Sequence, residues 1–153
     1  MDDRFPQIPD MNTRSIVLVV AQFGSIAALL VGGKWDLSAG AWIAFSAGLV
    51  LFSWAAFSLG GNNFTIMPEP RSGNTISQRG IYALLRHPMY TSVIICGSAV
   101  AFGAPSATRW VAWSVCVAAL IVKVAHEERL IKARHPDYVG RMKRTWRLVP
   151  WVW

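Results

Sequence analysis

The sequence predicts an all-α, polytopic membrane protein with about four transmembrane helices and a basic C-terminal segment. Of its 153 residues, 54% are hydrophobic and only 15% are charged, whereas soluble domains carry about 25% charged residues. The hydrophobic residues collect in runs long enough to form membrane-spanning helices. Lys and Arg flank these runs, as expected when basic side chains orient helices in a bilayer. We expect residues 1–153 to form a single membrane-embedded domain.

The formal net charge of +7 at pH 7 also suits a nucleic-acid-binding protein, but the positions of the basic residues argue against that partner. They flank apolar runs and do not follow one face of a soluble fold. Membrane lipids are therefore expected partners, and nucleic acid is not. Cys96 and Cys116 lie within apolar runs, so we interpret them as small core residues without a disulfide.

The first two spans are predicted at residues 15–33 and 41–59. Each has about the 20 residues that a transmembrane helix needs, and Gln22 is the one strongly polar residue in the first. The short connector between them predicts a tight antiparallel hairpin. Residues 60–79 lose the apolar pattern and gather Gly, Asn, Pro and Ser, which predicts a polar loop outside the hydrocarbon.

The last two spans are predicted at residues 89–103 and 109–124. At about 1.5 Å per residue, the third covers only about two-thirds of a 30 Å hydrocarbon core, so it should be short or broken. The fourth run continues without a breaker, which predicts one helix over residues 106–134, partly outside the lipid. Residues 125–153 then form a basic tail.

The distribution of Lys and Arg predicts the topology. Eight basic residues lie between positions 123 and 147, and further ones precede the first span or lie between the second and third. The opposite side carries only Lys34 and Arg109. By the positive-inside rule, both termini face the cytoplasm. We expect a multi-pass protein of a prokaryotic inner membrane.

Residues 80–90, GIYALLRHPMY, hold one group of polar side chains with chemical potential. Pro88 has no N–H and disfavours the α conformation at His87, so the backbone should break there. Such a break would leave Arg86 and His87 available to a ligand. The alternative is an ordinary helix start, with these side chains at the lipid headgroups and Tyr90 as an interfacial aromatic.

Glu127 and Glu128 form the second polar group. They are adjacent on a helix and about 100° apart, so they should not face one pocket equally well. The alternative is a pair of helix-stabilising contacts, since Lys123 and Lys132 lie at i,i+4 spacing from them. The sequence lacks an HExxH motif and a His pair at i,i+4, so we expect no metal site.

The tail, residues 136–153, alternates basic residues with Tyr138 and several Trp residues. This pattern is typical of a segment that lies at the membrane interface, with Lys and Arg at anionic headgroups. The same segment could also close over a pocket formed by the His87 region and Glu127. The two interpretations are compatible.

The motifs GxYxxxRHPxY, EERLI, HPDY and RTWRLVPWVW occur in this order, and together they resemble the isoprenylcysteine carboxyl methyltransferase family. That family belongs with membrane phospholipid methyltransferases of related fold. The resemblance covers residues 74–153, while the first two spans match only as generic membrane helices. It implies an enzyme that uses S-adenosylmethionine at the cytoplasmic side of the membrane.

The resemblance also implies roles for individual residues. Those implied to bind the cofactor are Arg86, His87, Pro88 and Tyr90 of the RHPxY motif, the paired Glu127 and Glu128, and Tyr138 of the tail. Arg144, Arg147 and Pro150 fall on C-terminal positions near the reacting end of the site. Two positions depart from the family pattern: Ser92 stands where relatives often have Gly, and Arg141 where a second Tyr often occurs.

The methyl acceptor stays open between two lipophilic classes, and Glu127, Arg144 and Arg147 are the candidate catalytic residues. An S-prenylcysteine carboxylate is already ionised and needs only orientation, for which Arg144 or Arg147 is suited. A phospholipid or other lipid amine must first lose a proton, for which Glu127 or His87 is suited. A further alternative is a non-catalytic membrane protein with a lipid-binding tail. The sequence does not indicate the oligomeric state.

Overall fold

The structure is a computed structural model that describes residues 13–59, 77–135 and 137–152. Within these ranges the chain forms helices joined by short connectors, and the all-α class is confirmed. The predicted loop at residues 60–79 lies largely outside the described residues. The helices are α1 (Thr13–Val31), α2 (Ala39–Leu59), α3 (Pro88–Gly103), α4 (Ala107–Arg134) and α5 (Tyr138–Arg141), with a 3₁₀ turn (Gly80–Ala83) before α3.

Three of the described helices, α1, α2 and α4, are long and apolar enough to cross a membrane. The 16 residues of α3 extend about 24 Å, less than the roughly 30 Å of a hydrocarbon core, which confirms the prediction of a short third span. The 28 residues of α4 extend about 42 Å, so this helix continues past the lipid. Phe57 on α2 is 88% exposed, as suits a side chain that faces acyl chains.

The helices pack as two pairs, α1 with α4 and α2 with α3. The expected tight hairpin of the first two spans is therefore wrong. Gly48 of α2 lets α3 approach so closely that a Cβ there would overlap the Cys96 sulfur. On α1 the buried residues recur at every third or fourth position and form the stripe that α4 covers: Ser15, Leu18, Gln22, Ser25 and Leu29.

The end of the bundle where α1 stops and α4 begins, the Arg109 end, is organised by one buried arginine. Arg109 is 1% exposed. Ser106 caps α4 by accepting a hydrogen bond from the Arg109 backbone N–H at 3.2 Å. The Arg109 guanidinium donates to four backbone carbonyls: Leu29 (3.3 Å), Gly33 (3.0 Å), Lys34 (2.9 Å) and Ala104 (2.8 Å). It thereby provides donors for one carbonyl in the last turn of α1 and for three carbonyls in the connectors between helices.

The opposite end, where α3 begins and α4 ends, is the Arg86 end. A core cluster of Ala55, Ile81, Tyr82 and Leu85 holds the 3₁₀ turn against α2. Burial and the Glu127 carboxylate raise the pKa of Tyr82 above its ordinary value. This packing places residues 86–88, the RHP segment, at the Arg86 end of the bundle.

Candidate functional site

The backbone breaks at His87, as Pro88 predicts. His87 has non-helical dihedrals (φ −128°, ψ 58°), and Pro88 occupies the first turn of α3. Just before this break, Leu85 forms a parallel bridge with Trp146 of the tail. The Arg86 N–H donates to the Trp146 carbonyl at 2.8 Å, and the His87 N–H donates to the Arg147 carbonyl at 3.1 Å. The tail thus completes the backbone hydrogen bonding of the broken segment.

The Arg86 side chain ties the tail to α4. Its guanidinium donates to the Thr145 hydroxyl at 3.0 Å, the Met142 carbonyl at 2.8 Å and the Glu128 carboxylate at 3.1 Å. Charged hydrogen bonds of this kind are stronger than neutral ones. The Arg86 donors therefore hold the tail and Glu128 in place. A contact between Arg86 and a ligand stays a prediction.

Glu128 is the most enclosed acid of the site, because its side chain is only 3% exposed. Besides Arg86, its carboxylate contacts Arg147 Nε at 3.1 Å and Lys132 Nζ at 3.4 Å. The Lys132 contact is the predicted i,i+4 pair. Three cations surround one carboxylate, so this part of the site carries an excess of positive charge.

His87, Tyr90 and Glu127 form the second half of the site. The Tyr90 hydroxyl donates to one Glu127 oxygen, and His87 Nδ1 lies 3.4 Å from the other. The imidazole and phenol rings are parallel within 2°, with centroids 5.6 Å apart. The Glu127 side chain is 13% exposed, which makes it the more accessible of the two acids.

Both glutamates face the same imidazole, which corrects the expectation that only one could face the pocket. His87 lies between them, with Nδ1 towards Glu127 and Nε2 at 3.9 Å from Glu128. The ring has a nitrogen on each side, so residues about 100° apart on α4 both reach it. His87 Nε2 is buried without a hydrogen-bond partner among the described residues.

The electrostatics of His87 follow from this position. Burial lowers the pKa of the imidazolium, but the contact with Glu127 and the negative charges of both carboxylates outweigh it and raise the pKa above its ordinary value. The protonated form is therefore favoured beside Glu127 and Glu128.

Tyr138 is 3% exposed and lies near Arg86 and Glu128, and its contact with the cofactor stays a prediction. Burial and the Glu128 charge raise the pKa of its phenol to about 12, so the group stays neutral at physiological pH. The Thr91 hydroxyl of α3 donates to the Leu148 carbonyl at 2.7 Å. These contacts extend the tail across the site from Tyr138 to Leu148.

Two further predicted residues, Arg144 and Ser92, form no hydrogen bond with the paired glutamates among the described residues. Arg144 is exposed and, within the described part of the chain, forms no hydrogen bond or ion pair with either glutamate. Its catalytic role stays a prediction. The Ser92 hydroxyl donates to the Met89 carbonyl of its own helix at 2.6 Å, and the Arg141 side chain lies outside what the structure describes.

Sequence reasoning missed Thr145, the Met142 carbonyl and Gln22. Thr145 carries no charge, and a backbone carbonyl has no sequence signal. Gln22 was visible as the lone polar residue of the first span, but its partner on α4, Lys123, was interpreted only as an i,i+4 neighbour of Glu127. The Lys123 amine donates to the Gln22 side chain at 2.9 Å.

Comparison with known protein families defines the class of the protein as a membrane methyltransferase. The family model described as phospholipid methyltransferase matches residues 37–138. The match covers more than half of the chain. The chain therefore belongs to the phospholipid methyltransferase family, which is related to the isoprenylcysteine carboxyl methyltransferases. No curated protein and no solved structure gives a significant match. The family assignment favours an enzyme over the non-catalytic alternative.

Proposed function

We propose that the protein transfers a methyl group from S-adenosylmethionine to a lipophilic acceptor at the cytoplasmic face of the membrane. The observation that carries the proposal is the cluster of His87, Tyr90 and Glu127 beneath the docked tail. This cluster combines a partly accessible carboxylate, a buried imidazole and an aromatic ring at the end of an apolar bundle.

The residues present fit S-adenosylmethionine. Glu127 suits its ammonium or ribose hydroxyls, and Arg147, whose side chain is 35% exposed, suits its carboxylate. The buried His87 Nε2, which has no partner among the described residues, provides a further polar atom for the ligand, as buried polar groups are ordinarily hydrogen-bonded.

S-adenosylmethionine supplies a methyl group bound to a sulfonium. The chain contributes positioning and exclusion of water, which are the main requirements of an in-line displacement. Glu127 is oriented by Tyr90 and His87, while Arg86 holds the tail over the mouth of the site. These contacts keep the polar groups fixed before the acceptor arrives.

The excess positive charge around Glu128 favours an acceptor that carries an anionic group. Arg147 and Lys132 are the two partly exposed cations there. An S-prenylcysteine carboxylate would be oriented by Arg147 or by the exposed Arg144 and methylated on oxygen. It enters from the bilayer, and its prenyl chain stays in lipid.

A phospholipid amine is the second candidate acceptor, and the family description favours it. Its phosphate suits the same cations, and its ammonium must lose a proton before attack on the methyl group. Glu127 is the group positioned to receive that proton, because the neighbouring His87 is favoured in its protonated form. The product would then carry the methyl group on nitrogen.

The test begins with detergent-purified protein titrated with S-adenosylmethionine by calorimetry, for which we expect micromolar affinity. Methyl-labelled donor is then supplied with an S-farnesylcysteine derivative or with phosphatidylethanolamine vesicles. Alkali releases methanol from a methyl ester but leaves an N-methyl group in place, so the product identifies the acceptor class. Absence of cofactor binding would return the chain to the non-catalytic alternative.

The proposed orientation has its own test. In a variant in which Cys96 and Cys116 are replaced by Ala, single cysteines at Asp36 and Gly140 should be labelled from opposite sides of the membrane. Gly140 has open space for a side chain, so the substitution should be tolerated. Labelling of both positions from one side would contradict the topology.

A further inference from the structure

Lys123 is a buried cation directed into the apolar bundle. It is 2% exposed, and its Nζ donates to Gln22 Oε1 at 2.9 Å. Gln22 lies near the middle of α1, about 14 Å from the start of that helix at 1.5 Å per residue. A lysine near the end of a membrane helix ordinarily extends towards water. Lys123 instead points deeper into the bundle, a costly position that indicates a functional use.

The Lys123 amine also lies over the ring of Tyr90, 5.2 Å from its centroid. This distance is within the range of a cation–π interaction, which gains strength where water is excluded. The Tyr90 hydroxyl donates to Glu127, which lies one turn after Lys123 on α4. A continuous set of contacts therefore runs from Gln22 through Lys123 and Tyr90 to Glu127.

We propose that Lys123, held by Gln22, is a positioning residue of the methyl-transfer site. It fixes the Tyr90 ring and, through the Tyr90 hydroxyl, orients the Glu127 carboxylate for the cofactor. The proposal rests on the proposed function. It assigns a role to α1, which lies outside the matched residues 37–138. The sequence motifs gave no indication that α1 contributes to the site.

The central test compares Lys123→Met, which removes the charge, with Lys123→Arg, which retains it. Calorimetry of S-adenosylmethionine and S-adenosylhomocysteine should show the dissociation constant of Lys123→Met raised about tenfold. Lys123→Arg should restore most of the affinity. Ser25→Ala is the matched packing control, because Ser25 is also buried on α1 and bonds the Gln22 carbonyl; its affinity should equal that of the wild type.

A double-mutant cycle with Tyr90→Phe separates positioning from general packing. The Phe variant keeps the ring but loses the hydroxyl that reaches Glu127. In that background, Lys123→Met should weaken binding by much less than tenfold. An undiminished effect, or wild-type affinity in the single Lys123→Met variant, would overturn the proposal.

If Lys123→Met does not fold, Gln22→Leu decides, since it leaves the lysine in place and removes the Gln22 oxygen that accepts its hydrogen bond. We expect Gln22→Leu to raise the dissociation constant in the same direction, and an unchanged value would overturn the proposal. Failure of the wild-type protein to bind either cofactor form would overturn the proposed function as well. Normal wild-type binding with unaffected Lys123 and Gln22 variants would overturn this inference alone.

Discussion

Two arginines, Arg86 and Arg109, organise opposite ends of the same bundle in different ways. Arg109 is almost completely buried, and its guanidinium donates to four backbone carbonyls. Arg86 is partly exposed and shares its donors among the Glu128 carboxylate, the Thr145 hydroxyl and the Met142 carbonyl. At the first end the guanidinium satisfies backbone carbonyls, and at the second it holds a charged side chain and the tail together.

The comparison shows why a buried cation alone does not identify a site. At the Arg109 end all four partners of the guanidinium are main-chain carbonyl oxygens. The role of Arg109 is to provide hydrogen-bond donors for these oxygens in an apolar environment. At the Arg86 end the partners include one ionisable side chain, Glu128, which also faces His87. A functional interpretation therefore follows from the partners of the cation and not from its burial.

The largest expected effect is on stability, from Arg109→Met. Loss of the guanidinium leaves four carbonyls without this donor, at about 1 kcal/mol each, so the free energy of unfolding should fall by up to about 4 kcal/mol. Denaturant unfolding in detergent measures this change. Arg109→Lys keeps the charge but has fewer donors, so its free energy of unfolding should lie between those of the wild type and Arg109→Met. Unchanged stability would show that the two ends do not differ as described.

The next effect is that of Glu128→Gln at the Arg86 end. Arg86 and Arg147 lose their shared counter-charge, and we expect a loss of about 3 kcal/mol in stability together with weaker cofactor binding. Limited proteolysis should detect a loosened tail. Lys132→Met is the control, because Lys132 is 41% exposed and such a pair contributes at most about 1 kcal/mol. Equal effects of the two variants would contradict the central place of Glu128.

Glu127→Gln should separate binding from stability. The substitution keeps the shape of the side chain but removes its charge, so S-adenosylmethionine affinity should decrease by about 1–2 kcal/mol. The thermal midpoint should change little, because Glu127 is the more accessible acid. Calorimetry and thermal unfolding of one preparation measure both quantities. A large loss of stability with normal affinity would exchange the roles assigned to the two glutamates.

The smallest effect is the dependence of stability on pH. The pKa of His87 is raised in the folded protein by Glu127 and Glu128 against the opposing effect of burial. Its contribution to stability is therefore full below the unfolded pKa of about 6.5 and is lost as the pH rises through the higher folded pKa. Thermal midpoints measured upward from pH 6 should decline. His87→Gln should flatten this decline, whereas His126→Gln, a control on α4, should retain it.

Much of the fold could be predicted from the sequence because membrane spans are long apolar runs. The predicted starts at residues 15, 41 and 89 lie within two residues of the observed helix starts. The pairing of the helices could not be predicted in the same way. It depends on single contacts, such as Gly48 with Cys96 and Gln22 with Lys123, which composition and hydrophobicity do not reveal.

The site was predictable where chemistry lies in side chains that form motifs. His87, Tyr90 and Glu127 come together as expected, and Glu128 also faces His87, although only one glutamate was expected to do so. The contacts that hold the tail were not predictable, because the bridge between Leu85 and Trp146 uses backbone groups. The same reason concealed the structural role of Arg109, whose acceptors are carbonyls of residues with unrelated side chains.

The bridge between Leu85 and Trp146 can form only after Trp146 has been synthesised, so the candidate site is completed late in biosynthesis. Arg86 and Thr145 are 59 positions apart in the chain, and synthesis proceeds from the N-terminus. The helices α1 to α4 all precede Trp146 and can enter the bilayer before the tail is made. Contacts between such distant positions form late and slowly. The membrane helices are therefore made before the tail can complete the candidate site, which is the last part of the bundle to assemble.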